Sequence, residues 1–136
     1  MKKFKIGSVE ILGIIGVILW IVVLFLRRRS LTNHSVYLFI VGMAPNLAAA
    51  WISTAVGKLL ISLGLKRRMT IKMYFSLCFS IFLFSICSEF IYDRYLGSAF
   101  DVYDICVTAV AQVIIFTVPV LLKDKNLNFG KSREKQ

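Results

Sequence analysis

Acidic residues and histidine are scarce in this chain of 136 residues. Seven Asp and Glu side chains stand against 17 Lys and Arg, and His34 is the single histidine. One histidine cannot form a His-based metal pair or the HExxH pattern of metalloproteases. The GxSxG, Walker and GxGxxG patterns are also missing, which argues against the hydrolase and nucleotide-binding classes that they mark. We therefore expect His34 to be a loop residue before the second apolar block rather than a ligand.

Cysteines are few, and they follow no known ligand pattern. Cys78, Cys87 and Cys106 all lie inside apolar blocks, and their spacing matches no zinc or redox motif. Thiols in such positions usually pack as small hydrophobic side chains. We therefore expect no cofactor, and no metal site at the cysteines. No catalytic residue is assigned, and enzymatic activity is a weaker expectation than binding.

Apolar residues, in contrast, are abundant and arranged in long blocks. They make up 58% of the chain, whereas soluble domains average about 45–50% even with glycine counted. A block of about 20 apolar residues in a helix crosses a hydrocarbon core of about 30 Å. The blocks predict an all-α polytopic membrane protein in which the whole chain forms one bundle of four transmembrane helices, at about residues 6–26, 36–65, 71–92 and 102–122. The polar segment 123–136 has little to bury, and we expect it to be disordered.

The net charge of +10 bears on orientation rather than on nucleic acid. No basic stripe is interleaved with stacking aromatic residues, so nucleic-acid binding is not expected. Lys and Arg at the ends of apolar blocks instead meet lipid headgroups, and they favour the cytoplasmic side. Four of them fall on one side, at Arg27, Arg28, Arg29 and Arg94. Twelve fall on the other: Lys2, Lys3, Lys5, Lys66, Arg67, Arg68, Lys72, Lys123, Lys125, Lys131, Arg133 and Lys135.

This bias predicts a multi-pass protein of the bacterial plasma membrane with both termini in the cytoplasm. The run of three arginines from Arg27 to Arg29 departs from the rule, because it lies on the outer side. Lys58 lies within the second block, on neither side.

The second block carries a proline and a line of small residues. Pro45 lacks a backbone donor, so we expect a kink or a short break there. Small residues on one helix face let two backbones approach closely. We therefore expect a close helix contact along the stripe Gly42, Asn46, Ala49, Ser53 and Gly57.

The connection between the third and fourth blocks is acidic in an otherwise basic chain. Within sixteen residues it holds Glu89, Asp93, Asp101 and Asp104, against one Arg94. A helical stripe continues from this cluster into the fourth block, where a polar face should contact protein or water rather than lipid. Its members are Asp101, Asp104, Thr108, Gln112 and Ile115.

Three interpretations of the acidic cluster remain open. It can be a solvated rim that aids orientation, a binding site for a cationic or polyhydroxy ligand or a metal ion, or a pair of carboxylates for acid–base work. Catalysis is the weakest of the three, because the sequence indicates no further residues that would position the two carboxylates and shift their pKa values apart. The candidate ligand-binding residues are Glu89, Asp101, Asp104, Thr108, Arg94 and Asn46, and we expect the carboxylates of Glu89, Asp101 and Asp104 to converge.

The segment Phe100-Asp101-Val102-Tyr103-Asp104, preceded by Glu89 on the previous helix, resembles the VanZ-like membrane proteins. Pro45-Asn46 is similar to the proline–asparagine turn of some members. The chain departs from the family at Ser98-Ala99, where an Arg commonly precedes the Phe-Asp pair. Thr108 and Ala111 stand where Asn and Gly are frequent.

The resemblance implies a role in the cell envelope. The family is named for a protein that raises resistance to the glycopeptide teicoplanin, so a contribution to antimicrobial resistance through an outward-facing acidic cleft is the leading hypothesis. The alternatives are a small membrane interaction protein, such as a subunit, chaperone or immunity factor, and a transporter subunit. The expected partners are therefore the lipid bilayer, an envelope or antimicrobial ligand, and a membrane protein.

Overall fold

The computed structural model describes residues 6–29, 35–66, 68–97 and 100–129. Within them lie four helices, each long and apolar enough to cross a membrane: α1 (Ser8–Arg29), α2 (Ser35–Leu65), α3 (Ile71–Leu96) and α4 (Val102–Leu121). Two short strands, β1 (Met69–Thr70) and β2 (Leu127–Asn128), pair in parallel. The predicted all-α, four-helix membrane protein is confirmed. His34 and the second half of the predicted tail, residues 130–136, lie outside the described residues.

Local capping sets the ends of α3 and α4. The Thr70 hydroxyl accepts a hydrogen bond from the Met73 amide at the start of α3. At its other end, Gly97 adopts a left-handed φ of 65°, a conformation that favours glycine because it has no Cβ. The helix therefore continues past the predicted end at residue 92. Asp101 caps α4 by accepting from the Tyr103 amide at 2.8 Å.

Helix α2 continues through Pro45 without a break. Because proline lacks an N–H group, the carbonyl four residues earlier, at Val41, loses its helical donor. The Arg27 guanidinium of α1 donates to that Val41 oxygen at 3.2 Å. A side chain of the neighbouring helix therefore satisfies the carbonyl that the proline exposes, as polar groups in lipid require.

Helix α4 repeats this arrangement at Pro119. The proline deprives the Ile115 carbonyl of its helical donor, and the Tyr74 hydroxyl of α3 donates to the Ile115 oxygen. Tyr74 and Ile115 are both fully buried. They belong to the main hydrophobic core, together with Val9, Met69, Cys78 and Leu127.

Helices α1 and α2 are in close contact, and glycines of α1 allow it. A Cβ built on Gly13 would collide with the Ala55 side chain, and one built on Gly16 would lie 3.0 Å from the Ala48 carbonyl oxygen. These two glycines, three residues apart, lie on one face and allow the backbones to approach.

The predicted small-residue stripe of α2 is therefore wrong as a single interface. Gly57 does face another helix, because an added Cβ would contact Leu77 of α3. Gly42 faces open space, with no atom within 4 Å of an added Cβ. Ser53 is exposed and Ala49 is half-buried. The buried small residues of α2, Ala48 and Ala50, lie beside the predicted stripe, since periodicity alone does not fix which face meets a neighbour.

The segment 123–129 is not disordered, contrary to expectation. It turns back after α4, buries Asp124 and Leu127, and places β2 beside β1. Asp124 also bonds to Ser8 at the start of α1. Both ends of the described chain therefore lie at one end of the bundle, which we call the terminal end. The opposite end, with the α3–α4 connection, is the loop end.

Candidate functional site

Two of the predicted acidic residues lie at the start of α4, at the loop end. Asp101 is the exposed cap of the helix, and Asp104 lies in its first turn. Free amide groups and the helix dipole stabilise negative charge at this position. Capping accounts for Asp101 without any ligand, and Asp104 is the acid that needs a further explanation.

Asp104 is half-buried and is approached by two other helices. The Asn46 side chain of α2 and the Arg27 guanidinium of α1 both interact favourably with its carboxylate. The Asp101 carboxylate adds a repulsive one. The structure thus brings together Asn46, Asp101 and Asp104 among the predicted site residues, and it adds Arg27, which the sequence did not indicate.

Thr108 links this group to α3. Its hydroxyl donates to the Asp104 carbonyl at 2.9 Å, one turn earlier, and accepts from the Ser85 hydroxyl at 3.4 Å. Thr108 is buried, so the predicted stripe of α4 faces protein. Glu89 lies one helical turn beyond Ser85 on α3, toward the loop end, and is half-buried.

Glu89 and Arg94 have no direct polar contact with Asp104 in the described part of the chain. Over the described ranges, no hydrogen bond or ion pair connects either residue to Asp104; the one ion pair there joins Lys58 to Glu10. Arg94 is exposed on α3. In the same part of the chain, no three His, Cys, Asp or Glu side chains are placed to hold a metal ion. Asp101 and Asp104 interact electrostatically, and the convergence of Glu89 with them stays a prediction.

Below Asp104, the polar stripe continues into the bundle at Gln112. Gln112 is 6% exposed, and its side-chain oxygen accepts from the Thr54 hydroxyl of α2 at 3.3 Å. Its amide nitrogen is the one buried side-chain polar atom in the described part of the chain without a hydrogen-bond partner. Next to Gln112 in the chain, the Ala111 carbonyl accepts from the Trp51 indole at 3.0 Å. A column of polar groups therefore extends from Asp104 through Thr108 to Gln112.

A second polar network, at the terminal end, was not predicted. Lys58 is 2% exposed, and its ammonium group donates to Glu10 at 2.8 Å. The second carboxylate oxygen of Glu10 accepts from the Gly7 amide at 2.9 Å, as in a capping box. The position of Lys58 inside an apolar span indicates that it pairs with an acidic residue, because charges there are expected to pair. The partner depended on which helices are neighbours.

The tail completes the terminal-end network through Asp124. Its carboxylate accepts from the Ser8 amide at 2.8 Å and the Ser8 hydroxyl at 2.7 Å. Burial alone would raise the pKa of Asp124, but hydrogen bonds from Asn126 and Ser8 and the charge of Lys58 together lower it. A lowered pKa keeps the group charged at neutral pH, so this contribution to stability is lost only in acid, below the ordinary Asp range.

No family model, curated protein or solved structure matches this chain.

Proposed function

We propose that this chain is a VanZ-like protein of the bacterial cell envelope whose Asp104 site binds a ligand at the outer face of the plasma membrane. The ligand class is a cationic or polyhydroxy compound, such as an envelope component or a cationic antimicrobial. Binding there would contribute to resistance against glycopeptides or other antimicrobials. The proposal combines the sequence resemblance with the geometry at the loop end.

One observation carries the proposal: a carboxylate is set between helices at the head of a buried polar column. Intramembrane ionisable and polar groups are costly, and they commonly mark ligand or ion pathways. Asp104 is not needed as the cap of α4, because Asp101 fills that role. The column of Asp104, Thr108 and Gln112 contains a buried amide nitrogen without a partner in the described residues. This nitrogen is a donor to which a hydroxyl or carbonyl oxygen of a ligand can bind.

The residues around Asp104 suit a ligand that carries both cationic and hydroxyl groups. Asp101 and Asp104 supply two carboxylates, which attract an ammonium group through charge-assisted hydrogen bonds. Asn46 and Arg27 supply donors from α2 and α1, which suit hydroxyl or carbonyl oxygens. The three helices present these groups from three directions, so the site can discriminate between ligands by geometry.

The sidedness of the site gives a first prediction. With both termini in the cytoplasm, the loop end faces outward. Reporter fusions after Arg68 and at the C-terminus should be active as cytoplasmic reporters, and a fusion near Ser98 should be active as an external one. The physical reason is the excess of Lys and Arg on the terminal side. A C-terminal fusion that reports the external side would contradict the orientation.

Replacing Asp104 in cells tests the function. We expect Asp104→Asn to abolish any resistance that the parent confers against teicoplanin or a cationic peptide, because the substitution removes one charge and preserves shape. The minimum inhibitory concentration is the measurement, with protein accumulation in membranes quantified in parallel. Asp93→Asn is the matched control, since Asp93 is exposed on α3 and should behave as the parent.

Two outcomes of that experiment would count against the site. If Asp104→Asn retains the parental inhibitory concentration, the carboxylate has no role in resistance. If the variant fails to accumulate while Asp93→Asn accumulates normally, Asp104 is a structural residue.

A second candidate function is that of a membrane interaction protein, and the packing of α3 favours it. In an apolar stretch of 18 residues, 11% of α3 is buried, whereas 22–28% of the corresponding stretch is buried in each of the other three helices. Its exposed face includes Ser76, Ser80 and Cys87 at helical spacing. Small polar residues on a lipid-facing stripe are typical of helix–helix contacts in membranes. If this candidate holds, Ser80→Leu rather than Asp104→Asn should remove the activity.

A further inference from the structure

The seam between α1 and α2 opens into an apolar groove on the lipid-facing side. The cavity has a volume of about 350 Å³ and is lined by Val17, Trp20, Ile21, Ala49, Ile52 and Ser53. Gly13 and Gly16 draw the two backbones together. Ala49 and Ser53 are too small to fill the surface above that contact, so a trough is left between the helices.

The trough is continued toward the loop end by a glycine. Gly42 lies seven residues before Ala49, and two helical turns place it on the same face of α2. An added Cβ at Gly42 would meet nothing within 4 Å. The predicted small-residue stripe therefore lines a lipid-accessible groove over part of its length, instead of a helix contact.

Arginines lie at the loop end of this groove, and no acidic residue lines it. Arg28 follows Ile21 by seven residues, so it lies on the groove face of α1. It is exposed and forms no ion pair with any residue that the structure describes. The Arg27 guanidinium donates to the Val41 carbonyl, which precedes Gly42 in the chain. The groove thus has an apolar trough and a cationic end.

We propose that this groove binds an anionic phospholipid, with an acyl chain in the trough and the phosphate against Arg28. A lipid chain matches the apolar lining, and basic residues near a helix end attract anionic headgroups. A zwitterionic lipid offers the same chains without net charge, so charge complementarity selects the anionic one. The groove shares Arg27 with the surroundings of Asp104, but its apolar trough lies between α1 and α2, and the lipid is not the ligand proposed for Asp104.

Tryptophan fluorescence tests the proposal, because Trp20 lines the groove and the chain has one other tryptophan, Trp51. The Trp51→Phe protein is reconstituted in phosphatidylcholine vesicles with a minor fraction of phosphatidylglycerol. Bromine is placed on the chains of one lipid or the other, and bromine quenches fluorescence at contact. We expect brominated phosphatidylglycerol to occupy the site roughly fivefold more strongly than its share of the lipid, the factor that one basic residue contributes.

Three further variants make the result specific. Arg28→Gln should abolish the excess quenching by the anionic lipid, and Arg94→Gln, on α3, should preserve it. Ala49→Leu fills the trough and should also reduce the excess, although both arginines remain. If Trp51→Phe does not fold, the difference between the parent and Trp20→Phe gives the same quantity.

The proposal is overturned if both brominated lipids quench Trp20 in proportion to their share of the vesicle. It is also overturned if the excess survives Arg28→Gln, or if Ala49→Leu leaves it unchanged, because then general surface charge rather than the groove attracts the lipid.

Discussion

Lys58→Met should strongly destabilise the protein, with a loss of about 3–5 kcal/mol in the free energy of unfolding. The Lys58 ammonium is 2.8 Å from the Glu10 carboxylate, and the Lys58 side chain is 3% exposed. Removing the cation leaves a largely buried anion without its partner, and such a charge is far more costly than a buried pair. The measurement is the loss of helical circular dichroism on titration with SDS in mixed micelles.

The double replacement Glu10→Met with Lys58→Met separates this cause from a simple packing defect. With both charges gone, most of the lost stability should return, since hydrophobic residues can replace a buried pair at little cost. Lys72→Met is the control, because Lys72 is exposed on α3 and should change stability by less than about 0.5 kcal/mol. If Lys58→Met unfolds at the same SDS fraction as Lys72→Met, the pair contributes nothing.

Tyr74→Phe should destabilise the bundle by about 1–3 kcal/mol, the cost of a buried carbonyl without a donor. That carbonyl belongs to Ile115, which Pro119 deprives of its helical partner. In a Pro119→Ala background the new amide can donate to Ile115, so Tyr74→Phe should then cost less than about 0.5 kcal/mol. The difference between the two backgrounds, measured by the same SDS titration, is the coupling energy.

Tyr37→Phe is the matched control for this cycle. The Tyr37 hydroxyl donates to the Leu26 carbonyl at 3.1 Å, which is the same chemistry at the other end of the bundle. Its replacement should cost equally with and without Pro119→Ala. Equal costs for Tyr74→Phe in both backgrounds would show that the tyrosine does not compensate for the proline.

The four helices could be predicted from the sequence because each span satisfies its own backbone and displays a long apolar block. The predicted starts of α3 and α4 agree with the structure, in which Thr70 and Asp101 cap the two helices locally. The end of α3 was placed too early, since its last turns are as polar as a loop and only Gly97 terminates the helix.

Contacts between distant parts of the chain could not be predicted in this way. Ser8 and Asp124 are 116 positions apart, and nothing in the sequence around either residue predicts that they form hydrogen bonds with each other. The stripe on α2 was correctly found as a line of small residues, but a small face suits a lipid groove as well as a helix. Only the positions of Gly13 and Gly16 on α1 decide which side of α2 is covered.

The candidate site was predictable where its residues lie on the same helix, and not where they come from different helices. Asp101, Asp104 and Thr108 share one helix, so their common face followed from helical spacing. Asn46 was singled out on α2, and the structure places it at Asp104. Arg27 was counted only as an orientation signal, because its reach to Val41 and Asp104 depends on the packing of α1 against α2.

Binding to the purified protein tests the Asp104 site most directly. The parent, Asp104→Asn and Asp93→Asn are reconstituted in nanodiscs and titrated with fluorescently labelled teicoplanin and with a labelled cationic peptide, with anisotropy as the readout. Loss of a charge-assisted contact should weaken binding of at least one probe by roughly tenfold to a hundredfold in Asp104→Asn, while Asp93→Asn binds as the parent does. Equal affinity of the parent and Asp104→Asn for both probes, or no saturable binding by the parent, would contradict a ligand site at Asp104.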